Sequence, residues 1–207
     1  MRRSRRTSGF TMVEMAVTMA VFAILVALGV PTMSTWIKNN KVRAVSDALQ
    51  TGLRLAQAES LRRSRQVVFS LTNTTTPQAI PLLSVANGTS WSIWTVPSMT
   101  DGSETPAYVQ SGILSSASSN VQVTSTVSTV CFNSMGRLVA NAGANVTLIT
   151  GGDTCVPPTV GAPPVQIFSI SMPGADRPLQ VNLGLGGQVH MCDPGVAISN
   201  AHPEGCP

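Results

Sequence analysis

Residues 10–30 form a continuous apolar run in which Glu14 is the only charged residue. As a helix, these 21 residues would span about 30 Å, which matches the hydrocarbon core of a bilayer. The run is too long for a signal peptide, and it ends at Val30-Pro31 without a small-residue cleavage site. A carboxylate in such a helix costs roughly 2.5 to 3.5 kcal/mol, so it is normally kept for a function. The run therefore predicts a membrane-spanning helix with a functional glutamate.

Charge is distributed unevenly along the 207 residues. Four of the 13 basic residues precede Gly9, namely Arg2, Arg3, Arg5 and Arg6, which leaves nine basic residues against nine acidic ones in the remainder. A neutral remainder argues against strong binding of nucleic-acid phosphates, which requires a basic surface. The arginines before the apolar run predict a cytoplasmic N-terminus. Only 11% of the residues are charged and 4% aromatic, a composition that favours a β-rich extracytoplasmic domain over a cytosolic enzyme.

The residues Gly9-Phe10-Thr11-Met12-Val13-Glu14 resemble the processing site of type IV prepilins and of the pseudopilins of type II secretion. The resemblance implies that a prepilin peptidase/N-methyltransferase cuts after Gly9 and methylates the new N-terminus at Phe10. It implies that Glu14, then the fifth residue, directs assembly by pairing with the terminal amine of a neighbouring subunit in a low-dielectric environment. It also implies a helix-bending role for Pro31.

The expected fold class is α+β and type IV pilin-like, with a long N-terminal helix packed on an antiparallel β-rich head. The expected divisions are a cleaved basic leader (1–9), a transmembrane and filament-core helix (10–31), an amphipathic helix (32–65) and an extracytoplasmic head with a disulfide-closed tail (66–207). Within the amphipathic part, apolar residues at spacings of three and four predict a stripe that packs on the sheet: Val42, Val45, Leu49, Leu53 and Ala56.

Two further segments resemble the GspH/FimT branch of minor pilins and minor pseudopilins: residues 56–71, and the F-x-x-x-G-R motif that ends at Gly136-Arg137. Between the helix and the first strand, Arg62, Arg63 and Arg65 form a basic cluster. Cations near a helix C-terminus are favoured by the helix dipole, and this explanation is preferred over an anion-binding role. Gly136 suits a turn that requires a positive φ.

Alternating and β-branched residues predict a β-rich head. Polar or glycine-rich loops are expected at residues 97–106 and 151–164. The expected strands are residues 66–71, 90–96, 121–130, 146–150, 165–170 and 188–192.

All four cysteines lie in the far part of the chain: Cys131, Cys155, Cys192 and Cys206. One membrane pass from a cytoplasmic N-terminus places them in a compartment where disulfides persist. Four cysteines allow three pairings, and nearest-neighbour pairing is favoured because each bridge then closes a loop rich in glycine and proline. No C-x-x-C pair and no histidine cluster accompanies them, so we expect no metal site and no cofactor.

No catalytic constellation is evident, and the protein is not expected to be an enzyme. A pair could be built from His190 and Asp193, but two nearby polar residues in a tail are common by chance. Some FimT-type minor pilins take up DNA through a G-R-x-R motif, and the matching stretch here is Gly187-Gln188-Val189-His190. An amide and a neutral imidazole lack the charge-assisted phosphate contacts of arginine. DNA binding by Gln188 and His190, with the basic cluster at 62–65, is therefore the weaker alternative.

These features predict a non-catalytic minor pilin of a type IV pilus that helps to initiate or cap assembly. The alternatives are a GspH-like minor pseudopilin of a type II secretion system and a DNA-binding minor pilin. The expected partners are the prepilin peptidase/N-methyltransferase, other minor and major pilins or pseudopilins, and the inner membrane. The expected location is the bacterial inner membrane, crossed once, with the head in the periplasm before incorporation into the pilus or pseudopilus.

Overall fold

A 52-residue helix, α1, runs from Met12 to Arg63 and takes part in both compact units of the chain, Met1–Ile37 and Lys38–Pro207. The computed structural model describes residues 9–99, 103–114, 120–158 and 165–206. The leader residues before Gly9 and parts of the two expected loops lie outside this description. Pro31 lies within the bounds of α1 but its side chain is outside the description, so the bend there stays a prediction.

Both ends of α1 are capped by the residues next to them. Thr11 Oγ1 accepts a hydrogen bond from the Glu14 N–H at 3.2 Å, as an N-cap residue does. Glu14 thus occupies the third helical position, and Thr11-x-x-Glu14 has the residue types of a capping box. At the other end, Ser64 has φ 50° and donates its N–H to Leu61 O, while the Arg65 N–H reaches Ser60 O at 3.2 Å. This pair of bonds is a Schellman motif.

The apolar stripe of α1 lies in the core of the second unit, as predicted. Each member is at most 1% exposed: Val42, Val45, Leu49, Leu53 and Ala56. They share one cluster with Phe69, Phe132 and Phe168, which come from three different strands. Burying a side chain of this size contributes roughly 1.5 to 3 kcal/mol, so the stripe accounts for much of the attachment of α1 to the head.

The described strands form two sheets. Their bounds are β1 Val67–Thr72, β2 Ser90–Thr95, β3 Ala107–Ile113, β4 Gln122–Ser125, β5 Thr129–Phe132, β6 Val165–Ser171, β7 Leu179–Gly184, β8 Val189–Ala197 and β9 Gly205–Cys206. Sheet 1 has the order β3-β2-β1-β5, and sheet 2 has the order β4-β6-β7-β8-β9. Neighbouring strands are antiparallel except β8 and β9, which are parallel. The expected α+β fold with a long N-terminal helix and an antiparallel β-rich head is confirmed.

Sheet 1 is covered on both faces, because every residue of β1 and β2 is buried. Phe69 and Ile93 face the cluster that contains α1. Alternate residues of the same sheet face a second cluster, here called the back cluster, whose members are Val68, Leu82, Trp94, Val96, Cys131, Val146, Ile149 and Cys155.

The prediction of a strand at residues 146–150 is wrong. A short helix, α2, spans Ala144–Thr150 and buries Val146, Ile149 and Thr150, which are spaced as on one face of a helix. Leu148, which would share a strand face with Val146, is 53% exposed. Gly151 ends the helix at φ 75° and donates its N–H to Thr147 O.

The prediction of one strand over residues 121–130 is also wrong. The chain forms β4 in sheet 2, leaves the sheet, and enters sheet 1 as β5. β4 pairs with β6, whereas β5 pairs with β1. Two strands, β3 and β7, occur where none was predicted, and the tail adds β9 beside an extended β8.

The predicted disulfides are both present, Cys131–Cys155 with a Cα–Cα distance of 5.6 Å and Cys192–Cys206 with 5.0 Å. The first joins β5 to the segment after α2 within the back cluster. The second closes the C-terminal tail at a sequence separation of 14 residues and holds β9 beside β8.

Replacing both Cys192 and Cys206 by serine is expected to lower the free energy of unfolding by about 3 kcal/mol, because a closed loop of this length restricts the unfolded chain. Urea unfolding of the purified full-length protein measures the change, with Ser199→Ala in the same tail as the control. Coincident unfolding curves for the double variant and the wild type would contradict the expectation.

Candidate assembly site

The predicted processing and assembly residues lie on an open surface at the start of α1. Gly9 and Phe10 precede the helix, and the side chain of Phe10 is 78% exposed. Apart from its chain neighbours, no atom of the described residues lies within 4 Å of the position that a Cβ at Gly9 would occupy. Glu14 is also exposed and follows Phe10 by four residues, about one helical turn. The bond between Gly9 and Phe10 therefore lies in an accessible, non-helical segment.

The first part of α1 is apolar on all sides and contacts no core. Its large side chains are 43–93% exposed: Met12, Val13, Met15, Val17, Met19, Val21, Phe22, Ile24, Leu25, Val26, Leu28 and Val30. Within the described residues, α1 is the helix that is long and apolar enough to cross a membrane. An apolar surface of this extent marks a membrane or protein contact. This part of α1 is therefore long, apolar and exposed enough to lie in a membrane or to pack against another protein.

The three arginines of the basic cluster, at the end of α1, each pair with an acidic side chain. Arg62 forms two hydrogen bonds to Glu59, at 2.8 and 2.7 Å, and Arg63 adds a third at 2.8 Å. Arg65 forms an ion pair of 2.6 Å with Glu104, which also accepts the Ser98 N–H. The hydrogen bond from Arg62, followed by that from Arg63, lowers the pKa of Glu59 to about 2. Phosphate would have to displace these carboxylates before binding the cluster.

Glu59 is expected to make the stability of the head sensitive to acid. The folded pKa of about 2 lies below the ordinary value of 4.5, so its contribution is complete above pH 4.5 and is lost as the pH falls from 4.5 to about 2. The Arg62 side chain is 63% exposed, which limits the contribution to about 1 kcal/mol. Thermal unfolding of Glu59→Gln and the wild type from pH 7 to pH 2 should give melting temperatures that converge in acid.

Asp47→Asn is the control for that series, because Asp47 is an exposed acid of the same helix that forms no ion pair among the described residues. A gap between Glu59→Gln and the wild type that stays constant at all pH values would contradict the expected role of Glu59.

The stretch aligned with the DNA-uptake motif lies in the turn between β7 and β8 and at the start of β8. Gln188 and His190 are exposed, and His190 is opposite Asn182 in the sheet register. Asp193, the acid nearest to His190 in the sequence, accepts the Gly195 N–H at 2.8 Å. The structure thus keeps the two side chains on the surface and does not join His190 to Asp193 through any described hydrogen bond.

Gly187, the first residue of that stretch, has a packing role. It lies at φ 85°, and a Cβ there would be 2.1 Å from Gly136 O and 2.3 Å from Gln57 Nε2. Gln57 Nε2 donates to Gly136 O at 3.1 Å, and the Leu138 N–H donates to Leu185 O. Gln57, Gly136 and Gly187 are here called the glycine junction, because they bring α1 and the turns of both sheets into contact. Gly136 itself has φ 72°, as its motif predicted.

Two contacts near these residues were not predicted from the sequence. Thr11 as the N-cap was visible in the spacing Thr11-x-x-Glu14. The role of Glu104 was not visible, because it lies 39 residues from Arg65 and meets it only in the fold. Among the described residues, no group of three or more histidine, cysteine and acidic side chains could hold a metal ion.

Comparison with protein families gives two matches. The model of the type II transport protein GspH matches residues 45–167, and the prokaryotic N-terminal methylation motif matches residues 4–30. No curated protein matches the chain.

Among solved structures, the chain is similar to the type IV minor pilin FimU of Pseudomonas aeruginosa strain PAO1, with 14% identity over 79% of this chain and 97% of FimU and a TM-score of 0.48. It is also similar to the minor pseudopilin EpsH from the type 2 secretion system of Vibrio cholerae, with 10% identity over 75% of this chain and 99% of EpsH and a TM-score of 0.43. Since the GspH model covers more than half of the sequence, the protein belongs to the family of the type II transport protein GspH, and it carries the prokaryotic N-terminal methylation motif at residues 4–30.

Proposed function

We propose that this protein is a non-catalytic minor pilin of a type IV pilus, where it helps to initiate or cap assembly. The observation that carries the proposal is the exposed apolar start of α1, with Glu14 one turn after Phe10. Such a helix is stable in lipid before assembly and among the helices of neighbouring subunits afterwards. The head has a separate core, so it does not depend on the apolar segment for folding.

Cleavage after Gly9 by a prepilin peptidase gives Phe10 a charged amine, and the enzyme then methylates it. In lipid, this amine and the carboxylate of Glu14 are each costly when alone. Pairing the amine of one subunit with Glu14 of its neighbour lowers both costs, and the low dielectric strengthens the attraction. The exposure of both groups supports pairing between subunits, because no described side chain of the same chain satisfies Glu14.

The head is placed in the periplasm. The arginine-rich leader favours a cytoplasmic N-terminus, and α1 provides the single crossing. Two disulfides in the head suit an oxidising compartment. The head then contributes surface and not chemistry to the assembly.

A minor pseudopilin of a type II secretion system is the second candidate, favoured by the match to the GspH family model. Both candidates require the same membrane helix and the same use of Glu14. We prefer the pilus because the segment closed by the disulfide Cys192–Cys206, with Cys192-Asp193-Pro194 on one side and Cys206-Pro207 on the other, resembles the pilus members more than the secretion members. DNA uptake has no comparable support, since the arginines that would bind phosphate are paired with Glu59 and Glu104.

Cross-linking of the full-length protein in its native cells, followed by mass spectrometry of the captured partners, tests the proposal. We expect capture of type IV pilus subunits. Capture of secretion pseudopilins alone would transfer the role to the secretion machine. Absence of any filament subunit from the captured set would overturn both candidates.

A further inference from the structure

The first charged residue after Glu14 is Lys38, and the 23 residues between them are uncharged. As a helix this stretch measures about 34 Å, slightly more than the hydrocarbon core of a bilayer. Its end includes Trp36 and Ile37, which are 63% and 46% exposed. Tryptophan is enriched at the level of the lipid headgroups. Lys38 therefore marks the point at which the chain leaves the hydrocarbon on the side of the head.

Lys38 is half-buried beside an open cavity of about 400 Å³. Besides Lys38, this cavity is lined by Asn120, Val121, Gln122, Met172 and Pro173. A Cβ on Gly174 would lie 2.5 Å from Lys38 Nζ, so the ammonium lies directly against this position of the β6–β7 turn. Lys38 has no ion-pair partner in the part of the chain that the structure describes.

More positive charge surrounds this cavity-facing lysine. Lys41 follows Lys38 by three residues, which places it on the same side of α1. The β6–β7 turn is fixed to α1 by Asn39, whose Oδ1 accepts the N–H groups of Asp176 and Arg177 at 3.2 and 3.3 Å.

This fixed turn adds the exposed Arg177 to the same end of the head. The nearest acid in it, Asp176, accepts a hydrogen bond from the Asn39 side chain. The surface therefore has three cations, Lys38, Lys41 and Arg177, and none of them forms an ion pair within the described residues. Glu204 lies close enough to Arg177 to interact with it electrostatically.

We propose that this surface binds the headgroup of an anionic phospholipid in the leaflet next to the head. The phosphate lies against the ammonium of Lys38, and the side-chain amides of Asn120 and Gln122 bind the polar oxygens of the headgroup. Lys41 and Arg177 attract the surrounding negative surface, an effect that decays within about 10 Å at ordinary ionic strength. The lipid holds this surface around Lys38 at the membrane before the subunit enters a filament.

Native mass spectrometry of the detergent-solubilised full-length protein, titrated with phosphatidylglycerol or phosphatidylcholine, tests this site. We expect tighter binding of phosphatidylglycerol, and a loss of about fivefold in its affinity for Lys38→Gln, since one cation at an anionic surface contributes about that factor. Lys38→Arg keeps the charge and should retain the preference. Arg137→Gln removes an exposed arginine elsewhere on the head and is the control of equal charge.

Equal affinity for the two lipids would overturn the proposal, and so would equal losses for Lys38→Gln and Arg137→Gln. Titration with inorganic phosphate separates a lipid site from a general anion site. Phosphate binding as tight as that of phosphatidylglycerol, and equally weakened by Lys38→Gln, would also overturn it. The lipid measurement involves no filament partner. A negative result would therefore overturn the lipid site without affecting the cross-linking test of the proposed function.

Discussion

Glu14→Ala is expected to be cleaved normally after Gly9 and to be missing from filaments. Without the carboxylate, the terminal amine of a neighbouring subunit stays unpaired in lipid, at a cost of roughly 2.5 to 3.5 kcal/mol. This cost corresponds to a loss of about a hundredfold in incorporation. Immunoblots of sheared filaments and membranes measure incorporation, and the mass of the membrane-bound protein reports cleavage.

Glu14 also occupies the third position of α1 behind Thr11, so its loss could act by weakening the helix start. Glu14→Gln separates the two effects, because glutamine can serve in a capping box as glutamate does but carries no charge. We expect Glu14→Gln to be as defective as Glu14→Ala. Thr18→Ala, one turn further along α1, should be incorporated normally. Normal incorporation of Glu14→Gln would assign the residue to helix capping and contradict charge pairing.

Gly187→Ala is expected to cause a large loss of stability in the head. The methyl group would lie 2.1 Å from Gly136 O, and alanine is strained at φ 85°. Strain and overpacking each cost about 1 to 3 kcal/mol, so we expect a loss of about 3 kcal/mol. For a domain of this size, this loss lowers the melting temperature by roughly 10 °C. Circular dichroism of the purified protein provides the measurement.

Substitutions at two other glycines distinguish backbone strain from steric overlap as the cause of this loss. Gly152 has φ 108° with nothing within 4 Å of an added Cβ, so Gly152→Ala measures backbone strain alone. Gly186→Ala meets only the flexible end of Gln188 and should change little. If Gly187→Ala were no more destabilising than Gly152→Ala, contact within the glycine junction would not be the reason for the glycine.

The sequence allowed prediction of those features that depend on local pattern. The stripe from Val42 to Ala56 repeats at helical spacing, and the structure buries it. Nearest-neighbour pairing of Cys131 with Cys155 was inferred from loop composition and is present. Gly136 was assigned to a turn from its motif and has a positive φ. The roles of Gly9, Phe10, Glu14 and Pro31 stay predictions, since they concern processing, assembly and a bend.

The errors occurred where tertiary contacts decide the outcome. Residues 146–150 are rich in β-branched side chains, but burial against the back cluster selects the helical face of Val146 and Ile149. The glycines at 143 and 151, which flank α2, were the signal that could have identified it. The division of residues 121–130 between two sheets was not predictable from alternation, because alternation does not identify the partner strand.

The side chains of the back cluster can change in sequence independently of α1. It packs on the face of sheet 1 opposite the cluster that holds α1, and its described members include no residue of α1. Side chains behind the sheet can therefore change while the stripe of α1 stays in register. Subunits of one filament must share a helix that fits a common lattice, yet each needs its own outer surface. In the filament proposed for this protein, the part of the head behind sheet 1 can therefore change while the packing of the α1 stripe is preserved.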